Sequence, residues 1–276
     1  MTNRMKKVAI ICSITVGVIL LGAVIFGVLN ALVGDGTWST GWNDYRYDES
    51  GFEIGDATVP SQSLTEIEID WIDGAVLIVP CQDAYPSLTE TTEDGAELPD
   101  SSILRWKISE NGEKLTVKYR KSSWFFGFGS QNRNKRLLLR LPEAMMPQLR
   151  ELDVTSVSGN IVIDQLQAQS IELDTVSGNL KIKNTVCDSF SLETVNGDAW
   201  IDCDARQHME IESVNADLTL VMPADTSFSL HWESVSGHIS SDFAYQQSGN
   251  TYTVGNGGRA IEIESVNGNL MLSKKQ

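Results

Sequence analysis

The sequence predicts an all-β protein: a β-solenoid or β-roll of ~19-residue repeats, preceded by one N-terminal transmembrane helix. Three features carry that prediction. An uncharged apolar run lies near the start, one twelve-residue template recurs seven times, and apolar and polar residues alternate within each recurrence.

From Val8 to Val33 the chain runs 26 residues without a charge, and roughly 20 apolar residues suffice to cross a bilayer core as a helix. A cleaved signal peptide has a shorter apolar stretch, about 7–15 residues, ending in a small-x-small site. The end of this run, Leu29-Asn30-Ala31, offers no such site, and Cys12 sits near its start, which argues against lipid attachment there. Arg4, Lys6 and Lys7 precede the run and Asp35 follows it, so the N-terminus is expected inside. The expected organisation is a cytoplasmic stub and anchor at 1–33, a juxtamembrane linker at 34–51, and a β-strand-repeat ectodomain at 52–276 with regular repeats from about residue 148. The protein is thus expected in the cell membrane as a single-pass chain with an extracytoplasmic C-terminal domain. Trp38, Trp42, Tyr45 and Tyr47 fall where aromatic rings favour the membrane–water interface; a surface-lying linker without lipid contact is the alternative.

The repeat emerges when glycines are aligned. LDVTSVSGNIVI begins at 152, IELDTVSGNLKI at 171, FSLETVNGDAWI at 190 and MEIESVNADLTL at 209, a period of 19 marked by Gly159, Gly178, Gly197 and Ala216. The pattern returns around Gly237 and Gly268, and a degenerate earlier copy, IEIDWIDGAVLI, surrounds Gly74. In the second regular copy the apolar positions are Ile171, Leu173, Val176, Leu180 and Ile182. Alternation on each side of the glycine is the mark of a strand with one buried face, and the phase shift at the Ser/Asn-Gly step implies a bend. Val157, Val176, Val195 and Val214 are accordingly expected to point inward in a file. One such unit buries too little to fold alone, so neighbouring units must stack and share an interior. A twisted sandwich of meandering hairpins is the alternative, because Ser-Gly also suits a two-residue turn.

Before residue 148 the repeat is weaker. Trp106 and Ile108 alternate ahead of Asn111-Gly112, and Leu115, Val117 and Tyr119 alternate after it, which predicts a hairpin. Leu137, Leu139 and Leu141 predict another strand, while residues 83–101 read as a polar, acidic excursion.

Net charge is −16; the first 33 residues hold three basic side chains and no acid, which leaves 18 basic against 37 acidic in the remainder. Such a surface repels nucleic acid and anionic lipid. Cys81, Cys187 and Cys203 follow the apolar run, and with no Cys-x-x-Cys or Cys/His cluster neither a zinc site nor a disulfide framework is expected. Buried or partly buried free thiols are the expectation, with a single Cys187–Cys203 bridge as the alternative.

Four residues before the marker lie Thr155, Asp174, Glu193, Glu212, Glu233 and Glu264, acidic in five of six copies. Stacked at about 4.8 Å, like charges repel, and a cation or basic peptide would relieve them. Asp174, Glu193, Glu212, Glu233 and Glu264 are therefore the candidate binding ladder; a solvated face that keeps the domain soluble is the plainer reading. The column after the marker, Asn160, Asn179, Asp198, Asp217, His238 and Asn269, is expected to make turn hydrogen bonds and amide stacks. Calcium-binding β-rolls repeat every nine residues or so, which this chain does not. Trp124, Phe125, Phe126 and Phe128 stand among Lys118, Arg120, Lys121, Arg133, Lys135 and Arg136. They form a candidate contact loop for a membrane interface or protein partner, or a plug over the open end of the stack. With three histidines, no G-x-S-x-G and no P-loop, nothing points to catalysis, a cofactor or a metal; a polysaccharide-acting enzyme is the least favoured reading.

The repeats, together with the preceding LLLRLPEAMMPQLRELDVTSVSGNIVI, resemble the bacterial β-strand-repeat family named putative adhesins, a domain of unknown function, over roughly residues 60–272. The resemblance implies a membrane-tethered envelope protein without catalytic residues, and some members are associated with responses to cationic antimicrobial agents. Ala216 and the insertion between Gly237 and Gly268 depart from the pattern. The expected function is a non-catalytic binding, adhesin-like or envelope-stress-sensing module anchored through residues 8–33, with a cationic peptide or envelope protein as partner and no nucleic acid. A structural spacer without a specific ligand is the alternative.

Overall fold

The computed structural model of the chain describes residues 49–92, 98, 103–120 and 135–275. The expected anchor at 8–33 and the aromatic loop residues Trp124, Phe125, Phe126 and Phe128 lie outside the described residues. Within them, regular structure is β apart from one 3-10 turn, Met146–Gln148.

The strands follow the template. β1 (Glu53–Ile54) and β2 (Ala57–Thr58) are short, and β3 (Glu66–Cys81) carries the first template copy. β4 (Ser87–Thr92), β5 (Arg105–Ile108), β6 (Lys114–Lys118) and β7 (Lys135–Pro142) come next. The consecutive copies occupy β8 (Glu151–Asp164), β9 (Ser170–Ser177), β10 (Leu180–Asn196), β11 (Ala199–Asn215) and β12 (Leu218–Met222). The chain ends through β13 (Phe228–Ser234), β14 (Ile239–Ser241), β15 (Tyr245–Ser248), β16 (Thr251–Val254), β17 (Arg259–Asn267) and β18 (Leu270–Lys274).

Segments before the marker glycine form one parallel ladder, in the order β6, β3, β8, β9, β10, β11, β17, β13. Segments after it form a second, in the order β7, β3, β8, β10, β11, β12, β18, β14. Equivalent residues of successive copies lie opposite one another, Ile171 beside Phe190 and Leu180 beside Ala199, which is the stacking that the 19-residue period demands. Antiparallel pieces close the ladders: β5 on β6 and β4 on β7 at one end, β16 on β13 at the other. The hairpin expected around Asn111-Gly112 is β5–β6, and the segment expected as a polar excursion contains β4, whose Leu88 is buried.

The stack does not follow chain order at its C-terminal end. β17 lies between β11 and β13, so the Gly268 copy, not the Gly237 copy, sits directly on the fourth regular copy, that of Ala216. The inserted β15–β16 hairpin lets the chain pass over β13 and return, with β16 pairing antiparallel to it.

The interior is a file of Ile171, Phe190, Met209 and Ile261 above a file of Leu173, Leu192, Ile211 and Ile263, each at most 3% exposed. Opposite them run Ile161, Leu180, Ala199, Leu218 and Leu270. The valine expectation is overturned. Val157, Val176, Val195 and Val214 are half-buried, while the residue before each, Ser156, Thr175, Thr194 and Ser213, is buried. Alternation runs unbroken from Leu173 through Thr175, so the bend falls at Gly178 itself and not before Val176; the valines form a file, but on the outward side.

Glycine marks the bend for two reasons at once. Gly178 and Gly197 have φ of 136° and 127°, a region that side chains resist, and a Cβ on either would overlap the backbone of the preceding marker glycine. Ala216, with no such φ, fills the same place buried.

Candidate binding face

Parallel register converts sequence spacing into columns. The expected ladder is real as a spatial file: Asp70 lies opposite Thr155, Thr155 opposite Asp174, Asp174 opposite Glu193, Glu193 opposite Glu212, Glu212 opposite Glu264 and Glu264 opposite Glu233. All five expected residues are in it. The order departs from the sequence only where β17 interposes Glu264 between Glu212 and Glu233.

A second acidic file runs beside the first, two residues earlier on every strand, where the same face recurs. It reads Glu68, Asp153, Glu172, Ser191, Glu210, Glu262 and His231 in register. Sequence reasoning missed this file, although the position six before the marker is acidic in five of seven copies. The outward valine file lies on the other side of the ladder. The face therefore presents two stripes of carboxylates and one stripe of half-buried aliphatics running across the strands.

The two ends of this face differ in charge. At the β6 end, Lys114 reaches Glu68 at 2.7 Å, and Lys118 pairs with both Glu68 (2.9 Å) and Asp70. Burial alone would raise the Glu68 carboxyl, but the two lysines hold it below the usual range. Across β9, β10, β11 and β17, among the described residues, no lysine or arginine salt-bridges to Asp174, Glu193, Glu212 or Glu264. Histidines are the basic neighbours instead: His208 lies 3.3 Å from Glu210 and His231 3.1 Å from Glu233, which also accepts a hydrogen bond from Asn250.

Crowding without countercharge shows in the acidity of the carboxyls. Asp174 is pushed up to about 7 by burial and then by Glu193 and Glu172. Asp153 reaches about 7 as well, through burial and then Glu172 and Asp174. Glu193, Glu212 and Glu264 are raised by burial first and by adjacent carboxylates second. Each of these groups disfavours its own negative charge in the folded chain, and a cation placed on the face would favour it.

The column after the marker makes hydrogen bonds between repeats, where hydrogen bonds local to each turn were expected. Asn160 accepts from the Asn179 backbone N–H at 2.8 Å, Asn179 from Asp198, Asp198 from Asp217, Asp217 from Asn269 and Asn269 from His238. A parallel side-chain ladder joins Asn196, Asn215 and Asn267. These bonds fix the corner, and with it the register that aligns the carboxylates. Among the described residues no cluster of histidine, cysteine and acidic side chains has the arrangement to hold a metal ion.

Fold and face together define the class, a parallel-stacked β-repeat domain with an acidic outer face. The chain belongs to the Toastrack DUF4097 family, whose model matches residues 64–217 and 148–273. No curated protein matches it. Among solved structures it is similar to a putative cell adhesion protein from Clostridium sporogenes ATCC 15579, at 10% identity and a TM-score of 0.48 over 81% of this chain and 100% of that one. It is also similar to a putative adhesin from Bacteroides fragilis NCTC 9343, at 12% identity and a TM-score of 0.42 over 82% and 98%. A putative lipid binding protein from Parabacteroides distasonis ATCC 8503 matches at 13% identity and a TM-score of 0.28, over 82% and 98%.

Proposed function

We propose that the chain is a non-catalytic, membrane-anchored binding module, with residues 52–276 displayed outside the cell and residues 8–33 as the anchor. Its acidic face receives a cationic partner, a lysine- or arginine-rich peptide segment laid across the strands along Asp174, Glu193, Glu212, Glu264 and Glu233. The observation that carries this reading is the lack, among the described residues, of lysine or arginine countercharge along the middle of the ladder, in contrast to the β6 end, where Lys114 and Lys118 supply it. The adjoining valine file supports a partner that is also partly apolar, because half-buried aliphatics beside carboxylates suit a side chain with an apolar stem and a cationic head. The charge run at residues 4–7 and the uncharged stretch after it support export of everything beyond residue 34.

The test is titration of a lysine-rich amphipathic peptide against the full chain in detergent, alongside a variant carrying Asp174→Asn, Glu193→Gln, Glu212→Gln and Glu264→Gln. The reading predicts affinity at least about tenfold weaker for the variant, and wild-type binding that weakens with salt. Equal affinities would leave the face a solvated spacer surface. Protease cleavage of the C-terminal domain on intact cells tests the topology; complete protection while the membrane stays sealed would remove the export half of the proposal.

A further inference from the structure

Behind the acidic face, the short return between the two ladders holds a pair of sulfurs. Between Ile182 and Ser189 the pairing of β10 with β11 slips, with Thr185 opposite Cys203 and Cys187 opposite Ala205. The slip brings Cys187 and Cys203 diagonally together, although they sit at different places in their repeats, and their Sγ atoms lie 3.5 Å apart. Both are inward-facing, at 1% and 4% exposure. Their partners in the register, Ala205 and Thr185, are small and also buried.

We propose that Cys187 and Cys203 are the site of an intramolecular disulfide that joins two successive repeats and forms while the chain folds in an oxidising medium. From van der Waals contact, a bond of about 2.05 Å requires side-chain rotation and a small backbone adjustment, not a new register. Cys81 is not a rival partner: it ends β3 beside Pro142 on an earlier rung, and as the odd cysteine of the folded part it remains a thiol. The hydrogen bond to Cys187, and then burial, push the Cys203 thiol well above its usual range, so the closed fold resists forming the thiolate that exchange requires. With Cys187 and Cys203 at 1% and 4% exposure in the closed fold, an external disulfide reaches them only before the return segment closes.

The chemistry is thiol–disulfide exchange with an external disulfide, either a small-molecule disulfide or the oxidised site of an oxidoreductase. One cysteine thiolate attacks it to give a mixed disulfide and releases the first external thiol. The second cysteine thiolate then displaces the other external sulfur and closes the Cys187–Cys203 bond. The external disulfide takes up two electrons and the two protons that the cysteines lose. In the cell this rests on the export reading above, since an extracytoplasmic compartment supplies such an oxidant.

The experiment uses the full chain in detergent, reduced, unfolded, and refolded in mixed oxidised and reduced glutathione, then alkylated in denaturant and digested. Linked Cys187 and Cys203 peptides, alkylated Cys81 and a melting temperature several degrees above the reduced chain are expected, with Cys81→Ser leaving the bond in place. Alkylation of both Cys187 and Cys203 after oxidative refolding, or their linkage to Cys81, overturns the proposal. A second arm traps thiols in chain taken directly from its native membrane, which covers the case in which refolding fails; a bond there supports the proposal, and two free thiols in a domain that protease reaches from outside overturn it. Bond formation on refolding, combined with free thiols in a protease-protected native domain, upholds the pairing and overturns the export reading, so the two failures are distinguishable.

Discussion

Glu212 and Glu264 lie opposite one another across the parallel β11–β17 pair, and this contact carries the acidic ladder past an insertion that would otherwise have ended it. Like charges at adjacent strand positions destabilise a sheet by roughly 0.2–1 kcal/mol each. Removing one should therefore stabilise the protein. Glu193→Gln, which relieves contacts with both Asp174 and Glu212, is expected to raise stability by about 0.5–1 kcal/mol at pH 8, measured by urea unfolding. The gain should shrink at pH 5, where the wild-type ladder is already partly protonated.

The whole domain should become more stable as pH falls from 8 toward 5. Asp153 and Asp174 bind their protons with folded values of about 7, against an ordinary 3.8, so between those limits the folded chain holds protons that the unfolded chain has released. Their contribution is fully present below the ordinary value and is lost as pH rises through 7. Thermal unfolding followed at pH 8, 7, 6 and 5 should show a rising midpoint. A steady fall over that range would mean that the carboxyls are well solvated. The opposing group is Glu68, held below its usual range once its lysines outweigh burial, whose contribution is lost only as pH falls through that lowered value.

At the bend, Gly197→Ala is expected to cost roughly 2–4 kcal/mol, because the new side chain meets both an unfavourable φ and the neighbouring repeat's backbone. Ala216 gives the internal comparison. Since its φ is ordinary, Ala216→Gly should cost only about 0.5–1 kcal/mol, through chain entropy. Chemical unfolding of the two variants side by side checks the contrast.

The inward hydroxyl file offers a stabilising substitution. Ser213 donates to Ser265 at 2.9 Å, and Ser156 accepts from the Gly159 backbone N–H at 3.1 Å, but the buried Thr194 hydroxyl has no partner among the described residues. Thr194→Val keeps the shape and removes an unsatisfied group, with an expected gain of about 1 kcal/mol. Ser213→Val, which would remove the donor to Ser265, whose hydroxyl itself donates to the Asn267 carbonyl at 3.1 Å, and would overfill its place, should destabilise instead.

Much of this architecture was legible in the chain because a repeat states the same local physics several times. The 19-residue period implies the stacking and the five ladder residues, since parallel register turns a fixed spacing into a column, and local alternation around Asn111-Gly112 implies the β5–β6 hairpin. One local error comes from reading apolarity alone. Val176 reads as inward because it is aliphatic, yet unbroken alternation from Leu173 puts Thr175 inside and Val176 out, and the hydroxyl is accommodated by a bond at the corner, from Thr175 to the Ser177 carbonyl at 3.4 Å. The second carboxylate file went unread although Glu172, Glu210 and Glu262 repeat at the spacing of the first. The β17 transposition was not legible at all: nothing in the local pattern of the 237 and 268 copies says which of them pairs with the fourth, and the long β15–β16 insertion decides it.

The central claim is that stacking forces these carboxyls into a crowded file that, along its middle and among the described residues, lacks lysine or arginine countercharge. Titration of the side-chain carboxyl signals of Asp153 and Asp174 by carbon NMR tests it most directly. The account predicts that both titrate near pH 7, and that Asp174 shifts toward the ordinary range in Glu193→Gln. Midpoints near 4 for both residues in the wild-type chain would contradict it.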